Sequence, residues 1–196
     1  MKRLFDITAS GLGLLVLSPL FLIIAVWIKF DSPGPVFYRQ VRVGRGNKDF
    51  RLFKFRSMRV GSDKKGLITV GGHDPRVTRS GYFIRKYKLD EFPQLINVFI
   101  GDMSLVGPRP EVRKYVDLYT PEQLHVLDVR PGITDMASIR YRNENELLEQ
   151  AADPEQYYRD VVMQDKLRIN LEYVADHSFF KDLKIIFMTF KAVVTE

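Results

Sequence analysis

From Ile7 to Ile28 the chain carries no charged side chain, and from Gly11 onward that run reads GLGLLVLSPLFLIIAVWI. As a helix it would be about 33 Å long, enough to cross the hydrocarbon of a bilayer. Other readings fit it poorly. For a cleaved leader the apolar region is too long, and Trp27, Ile28, Lys29 and Phe30 offer no small-x-small cleavage site. A buried core helix would be apolar on every side, which is uncommon in a domain this small. Residues 1–30 are therefore expected in a membrane, with 31–196 forming a soluble domain.

Crossing the bilayer is a separate question. Ser18-Pro19 lies near the middle of the run. A proline there removes one backbone donor and clashes with the Leu15 carbonyl, so the helix should kink or break. Membranes tolerate a kinked spanning helix, and that alternative stands. The flanking charges favour a re-entrant hairpin instead. Lys2 and Arg3 precede the run, and Lys29, Arg39, Arg42 and Arg45 follow it. A spanning helix would put one basic cluster on the wrong face, whereas a helix bent at Ser18-Pro19 keeps both on the cytoplasmic side.

The 45% apolar and 28% charged content suits a packed domain and excludes a disordered chain. With no cysteine, disulfides, thiolate metal sites and thiol catalysis are excluded. The net charge of +6 favours a polyanionic partner, which leaves nucleic acid, anionic lipid and a diphosphate substrate open.

The expected fold class is α+β, mainly helical. Asp31-Ser32-Pro33-Gly34-Pro35 is a turn-rich break. Val36 to Val43 and Asp49 to Arg56 read as strands of a β-hairpin joined by residues 44–48. Gly61 to Gly72 lacks periodicity and reads as a loop. Phe92, Leu95, Ile96 and Phe99 recur at helical spacing. Thr120-Pro121-Glu122-Gln123 and Asp153-Pro154-Glu155-Gln156 both carry helix-start signals, the second opening a long helix towards Val174. Phe179, Leu183, Ile186, Phe190 and Val193 form an apolar stripe beside Lys181, Lys184 and Lys191, suited to a core or to an amphipathic helix at a membrane interface.

Three features could carry chemistry. Asp90-Glu91 follows Arg85, Lys86 and Lys88 at an expected helix start. A cap and a dipole-compensating glutamate would explain the pair structurally. The same place also suits an ionised carboxylate nucleophile beside a phosphate. In Gly107-Pro108-Arg109-Pro110, two prolines fix the backbone around a guanidinium suited to bidentate phosphate binding, or around a plain loop arginine. Basic residues at Lys54, Arg56, Arg76, Arg79, Arg85 and Arg142 are either a solvated face or an anion site. No Walker loop or G-x-G-x-x-G is present. His73, His125 and His177 are too scattered for a sequence-evident metal site, and Ser62-Asp63-Lys64-Lys65 matches S-x-x-K by chance.

Lys2-Arg3…Asp6, Ser18-Pro19, Gly34-Pro35-Val36-Phe37, Lys54-Phe55-Arg56-Ser57-Met58, Asp74-Pro75-Arg76, Leu89-Asp90-Glu91-Phe92-Pro93-Gln94-Leu95, the run from Gly101 to Pro110 and Arg130-Pro131-Gly132-Ile133-Thr134 stand in this order. The series resembles the bacterial sugar transferase family, small monotopic phosphoglycosyl transferases that begin glycoconjugate assembly, over nearly the whole chain. The resemblance implies that Asp90 attacks the β-phosphate of a UDP-sugar, expels UMP and becomes a phosphosugar-aspartyl intermediate, which polyprenyl (undecaprenyl) phosphate then resolves. It implies Mg²⁺ held at Asp90 and Glu91, and phosphate ligands at Lys54, Arg85, Arg109 and Arg142. It also implies a monotopic protein of the bacterial inner membrane, its catalytic domain on the cytoplasmic face against anionic headgroups.

After Thr134 the family usually continues G-[W/L]-A-Q-V-N-G-R-N. Here residues 135–143 read DMASIRYRN, and only Ala137, Arg142 and Asn143 match. Nucleotide or sugar contacts in that segment are therefore open. A membrane-tethered nucleic-acid binder using the basic, aromatic hairpin is the main rival, but it leaves Asp90-Glu91 and Arg109 without a role. A non-catalytic membrane scaffold is the third reading.

Overall fold

The computed structural model describes residues 1–62 and 74–194. Helix α1 (Lys2–Asp31) contains the whole apolar run. Only 11% of its most apolar window is buried within the protein, so it is not the core helix of a soluble domain. Pro19 marks no interruption of α1, where the sequence suggested helix, break and helix. The reason is local. Pro19 deprives the Leu15 carbonyl of its donor, and the Ser18 hydroxyl donates to that carbonyl at 2.8 Å.

Both ends of α1 are fastened to the same body. Near its start, the Lys2 ammonium donates to the Val106 carbonyl at 2.9 Å and pairs with buried Asp182. The Arg3 guanidinium donates to the Val98 carbonyl at 2.6 Å, and Asp6 accepts the Leu105 amide at 3.1 Å. At its end, Asp31 accepts the Ser80 amide at 2.9 Å and the Ser80 hydroxyl at 2.8 Å. Arg56, itself buried, donates to the Ser32 carbonyl at 2.7 Å. Ile24 and Ile28 pack on Phe55 and Ile84. Leu12, Leu15, Val16, Leu22 and Ile23 remain exposed.

The hairpin forms as expected from strands β1 (Phe37–Val43) and β2 (Asp49–Phe55), paired antiparallel from Phe37 opposite Phe55 to Val43 opposite Asp49. Its turn needs a left-handed backbone at Gly46, where φ is 67°, and glycine adopts that without strain. Helix α2 (Arg79–Lys86) is capped by the Thr78 hydroxyl, which accepts the Gly81 amide. Next come a 3₁₀ turn over Leu89–Glu91 and helix α3 (Gln94–Ile100), which packs on α1 where Gly11 and Gly13 leave room for Phe99 and Leu95. Much of the loop read over Gly61–Gly72, with Asp63, Lys64, Lys65 and His73, lies outside the described residues.

A second sheet of two short parallel strands, β3 (Ser104–Val106) and β4 (Gly132–Thr134), is absent from the sequence reading. Strands of three residues show no periodicity. The glycines after β3 and at the start of β4 are nevertheless required. A Cβ on Gly107 would lie 2.4 Å from the Arg130 carbonyl oxygen, and one on Gly132 would lie 2.1 Å from the Gly107 nitrogen. The two motifs are thus the two sides of one close backbone contact.

The remaining elements are α4 (Arg113–Val116), α5 (Met136–Arg140), α6 (Glu144–Glu149), α7 (Pro154–Tyr157), α8 (Met163–Ala175) and α9 (Phe179–Val194). Thr120 and Gln123 exchange the reciprocal bonds of a capping box, but a 3₁₀ turn over Gln123–Leu127 follows, not an α-helix. Asp153 caps α7 through the Glu155 and Gln156 amides, and a π turn over Tyr158–Val162 carries the chain into α8, giving the expected long helix. Val112, Tyr115, Val126, Leu148, Tyr158, Val162, Met163 and Leu167 form the core of this half, which takes no residue from α1 or α9. On α9 the expected stripe is not one buried face, with Phe179 and Ile186 half-buried and Leu183 and Phe190 exposed. Ile185 and Asp182 are buried, while Phe180, Phe187 and Phe190 are exposed, Phe180 to 81%.

Candidate active site

Strand β2, helix α2, the 3₁₀ turn and the loop after β3 bring five charged side chains into one electrostatic cluster. Asp90 sits inside the 3₁₀ turn, and α3 begins only after Pro93, so Asp90 does not cap that helix. This removes the structural explanation that the sequence left open for it. The chain enters the turn through Lys88 in a left-handed conformation, with φ 53°. No donor among the described residues hydrogen-bonds the half-buried Asp90 carboxylate.

Glu91 is held, in contrast. Its Oε1 accepts the Lys54 ammonium at 2.9 Å and pairs with the Arg109 guanidinium. These three side chains are only 17–32% exposed, so the pairs are screened less than surface ion pairs. Burial opposes ionisation of Glu91, but Arg109 and Lys54 outweigh it and hold its carboxyl well below the usual range. Glu91 in turn raises the Arg109 guanidinium. Burial pushes the Asp90 carboxyl above its ordinary value against the pull of Lys54, Glu91 adds to the rise, and Arg85 and Arg109 oppose it. One neighbour is thus firmly ionised, while the other accepts no hydrogen bond from the described residues and is raised in pKa. Such a separation between adjacent carboxylates marks a site with divided roles.

Arg109 is positioned from below. Its backbone amide donates to the Asp135 carboxylate at 2.9 Å, and Asp135, buried to 1% exposure, also accepts the Ser138 amide at 2.6 Å as the cap of α5. The Gly107 amide donates to the Thr134 carbonyl at 3.1 Å, and the Gly132 amide to the Pro108 carbonyl at 3.0 Å. On the far side, Arg42 donates to the Pro110 carbonyl and to Glu111 at 3.0 Å each, and Tyr158 donates to Glu111. Asp135, Arg42, Glu111 and Tyr158 thus support the Arg109 loop, a role the sequence did not assign to them.

Of the expected phosphate ligands, Lys54, Arg85 and Arg109 come together here. Arg142 does not. Its exposed guanidinium lies near the Ala192 carbonyl, at 3.4 Å. Arg76 pairs with Asp74, and Arg56 is taken up by the end of α1.

A cavity of ≈ 200 Å³ opens beside the cluster, and Arg85 and Arg109 line it. The described residues hold no group of three or more His, Cys, Asp or Glu able to ligate a metal. Asp90 and Glu91 nevertheless fit Mg²⁺, which takes one or two protein carboxylates and completes its shell with water and substrate phosphate. One of these carboxylates is free of hydrogen bonds, and the other is engaged through a single oxygen.

Comparison with known proteins gives the family of the chain. The family model described as bacterial sugar transferase matches residues 1–196. An Aeromonas hydrophila UDP-N-acetylgalactosamine-undecaprenyl-phosphate N-acetylgalactosaminephosphotransferase is 41% identical across 100% of this chain and 44% of its own length. The Escherichia coli UDP-glucose:undecaprenyl-phosphate glucose-1-phosphate transferase is 40% identical across 100% of this chain and 41% of its own. Against both, this chain spans less than half of the relative. The uncharacterized sugar transferase EpsL of Bacillus subtilis is 39% identical over 99% of this chain and 87% of its own length. The chain belongs to the bacterial sugar transferase family.

Proposed function

We propose that the chain is a phosphoglycosyl transferase that moves a sugar phosphate from a UDP-sugar to undecaprenyl phosphate and releases UMP, an initiating step in bacterial glycoconjugate synthesis. The observation that carries this reading is the contrast between Asp90, uncapped and without a hydrogen bond from any described residue, and Glu91, locked by Lys54 and Arg109. A carboxylate that serves neither cap nor salt bridge is available as a nucleophile. The undecaprenyl-phosphate specificity of the named relatives supports the acceptor.

In the first step an Asp90 oxygen bonds to the β-phosphorus, the bond from that phosphorus to the bridging oxygen breaks, and UMP leaves with the electron pair. In the second step a phosphate oxygen of the acceptor bonds to the same phosphorus and the Asp90 oxygen departs, restoring the carboxylate. An anion must approach an anionic phosphorus centre in both steps, the diphosphate of the donor in the first and the phosphosugar-aspartyl group in the second, and Lys54, Arg85 and Arg109 offset the accumulating charge. Asp90 and Glu91 would hold Mg²⁺, which when bound supplies further neutralisation of the phosphate oxygens.

Attachment of both ends of α1 to one domain supports a monotopic arrangement in which the exposed apolar middle of α1 enters one leaflet and Lys2, Arg3 and Lys29 face its headgroups. Phe180, Phe187 and Phe190 of α9 give a second apolar surface for that interface. We assign the domain to the cytoplasmic face of the inner membrane, where UDP-sugars are found. The nucleic-acid reading loses its stacking platform. Phe37 stacks on Phe55, and Arg39 covers Phe53 at 4.9 Å, so the hairpin rings are occupied by the protein itself.

The test is UMP release from a panel of UDP-sugars by purified protein with undecaprenyl phosphate and Mg²⁺. Acceptor-dependent release from at least one donor is expected. No release from any donor would contradict the reading.

A further inference from the structure

Two residues that line the cavity beside the cluster each carry a buried polar atom with no partner among the described residues, the Tyr115 hydroxyl and the Asn170 side-chain oxygen. Both residues are more than nine-tenths buried, at 4% and 6% exposure. Buried polar groups in folded proteins are nearly always paired, so two orphans in the walls of one cavity mark a place for something else. The charged groups around them are already satisfied. Glu111 is taken by Arg42 and Tyr158, and Glu144 accepts Lys166 at 2.7 Å. The interior therefore offers hydrogen bonds without net charge, between apolar walls such as Leu148 and Leu167. Among the described residues, its uncompensated positive side is where Arg85 approaches the site that holds Asp90. A neutral, hydroxyl-bearing ring tethered to a phosphate matches this division.

We infer that this cavity holds the sugar ring of the donor, and that the Tyr115 hydroxyl and the Asn170 amide read its hydroxyl groups and set which UDP-sugar is used. The inference rests on the transferase reading of Asp90. Sugar and uridine both carry hydroxyls, and the order of steps separates them. UMP departs from the side of phosphorus opposite Asp90, and the lipid phosphate must attack from that same side to expel Asp90. That position has to be reachable from the bilayer. The sugar stays on phosphorus throughout and lies off the reaction axis. The cavity is built in the half of the core that takes nothing from α1 or α9, which suits the group that stays rather than the one exchanged with a lipid.

The experiment uses the full chain with Tyr115→Phe and Asn170→Leu, four donors (UDP-glucose, UDP-galactose and their N-acetylamino counterparts), and UMP as a product inhibitor. Each variant should lose about tenfold or more in kcat/KM for the donor the wild type prefers, with the preference among donors flattened. The inhibition constant of UMP should stay within about twofold of wild type. Tyr115→Phe removes one unpartnered oxygen, so its Tm should not fall, which separates recognition from a structural role. Unchanged donor preference, or UMP inhibition weakening in step with donor use, would overturn the sugar assignment while leaving an Asp90-dependent transferase intact. Absence of UMP release by the wild type would overturn both readings.

Discussion

The Lys54 ammonium on β2 reaches the Glu91 carboxylate at 2.9 Å, ties the hairpin to the 3₁₀ turn, and leaves the adjacent Asp90 without a hydrogen bond from the described residues. Glu91 acts on Asp90 in two ways. It adds a like charge, and it occupies Lys54 and Arg109, which would otherwise stabilise an ionised Asp90 more strongly.

Glu91→Gln removes both effects. Burial and Glu91 raise the Asp90 carboxyl, so wild-type turnover falls on the acid side as Asp90 protonates, above the ordinary carboxylate range. In Glu91→Gln that acid limb should move to lower pH. Maximal turnover should fall about 10–100-fold and the Mg²⁺ concentration for half-maximal rate should rise. A pH–rate profile at several Mg²⁺ concentrations checks both, and full activity in excess chelator would contradict the metal assignment.

Arg109 and Arg142 should differ sharply. Arg109 pairs with Glu91 and lines the cavity, whereas Arg142 is exposed and outside the cluster. Arg109→Lys loses the planar fork and should reduce kcat/KM about 10–100-fold, while Arg142→Ala should change it by about twofold or less. Steady-state kinetics with one donor decides this, and a large Arg142→Ala defect would place that arginine at the substrate.

Asp135 holds the Arg109 loop and caps α5 from a buried position. Asp135→Ala should lower stability by about 2–4 kcal/mol, the sum of a lost cap and a buried amide left unpaired. Denaturant unfolding measures the loss. A change under about 0.5 kcal/mol, typical of surface substitutions, would mean the loop is positioned otherwise.

The fastening of both ends of α1 predicts that residue 2 and the domain share one side of the membrane. A single cysteine inserted between Met1 and Lys2 of this cysteine-free chain, which keeps the Lys2 anchor, should stay unlabelled by an impermeant thiol reagent in intact cells, and Pro19→Ala should leave this unchanged. Labelling from outside would mean that α1 spans.

The hairpin, the long helix from Pro154 and the apolar α1 were legible because periodicity, turn chemistry and hydropathy are local. Asp90-Glu91 and Arg109 were legible as motifs, but their contact through Lys54 joins residues 37 positions apart and leaves no local trace. The β3–β4 pair is too short to have a pattern, and its glycines make sense only when two backbones meet. Pro19 read as a break because the compensating Ser18 bond depends on a rotamer that sequence does not specify. The cavity walls come from six separate stretches of the chain, so Tyr115 and Asn170 gave no signal.

The most direct test of the account is the mass of the intact protein after incubation with donor and Mg²⁺ but no acceptor. Wild type should gain the mass of one sugar phosphate, located by fragmentation on Asp90 and discharged by undecaprenyl phosphate. Asp90→Asn should gain nothing and release no UMP, while unfolding at or above the wild-type temperature at neutral pH. That last sign follows from the raised carboxyl: a group whose pKa rises on folding contributes stability below its unfolded value and loses it as pH climbs through the folded one, so at neutral pH the ionised Asp90 is a cost that asparagine removes. An adduct on another residue, or UMP release by Asp90→Asn at a tenth of the wild-type rate, would contradict the central claim.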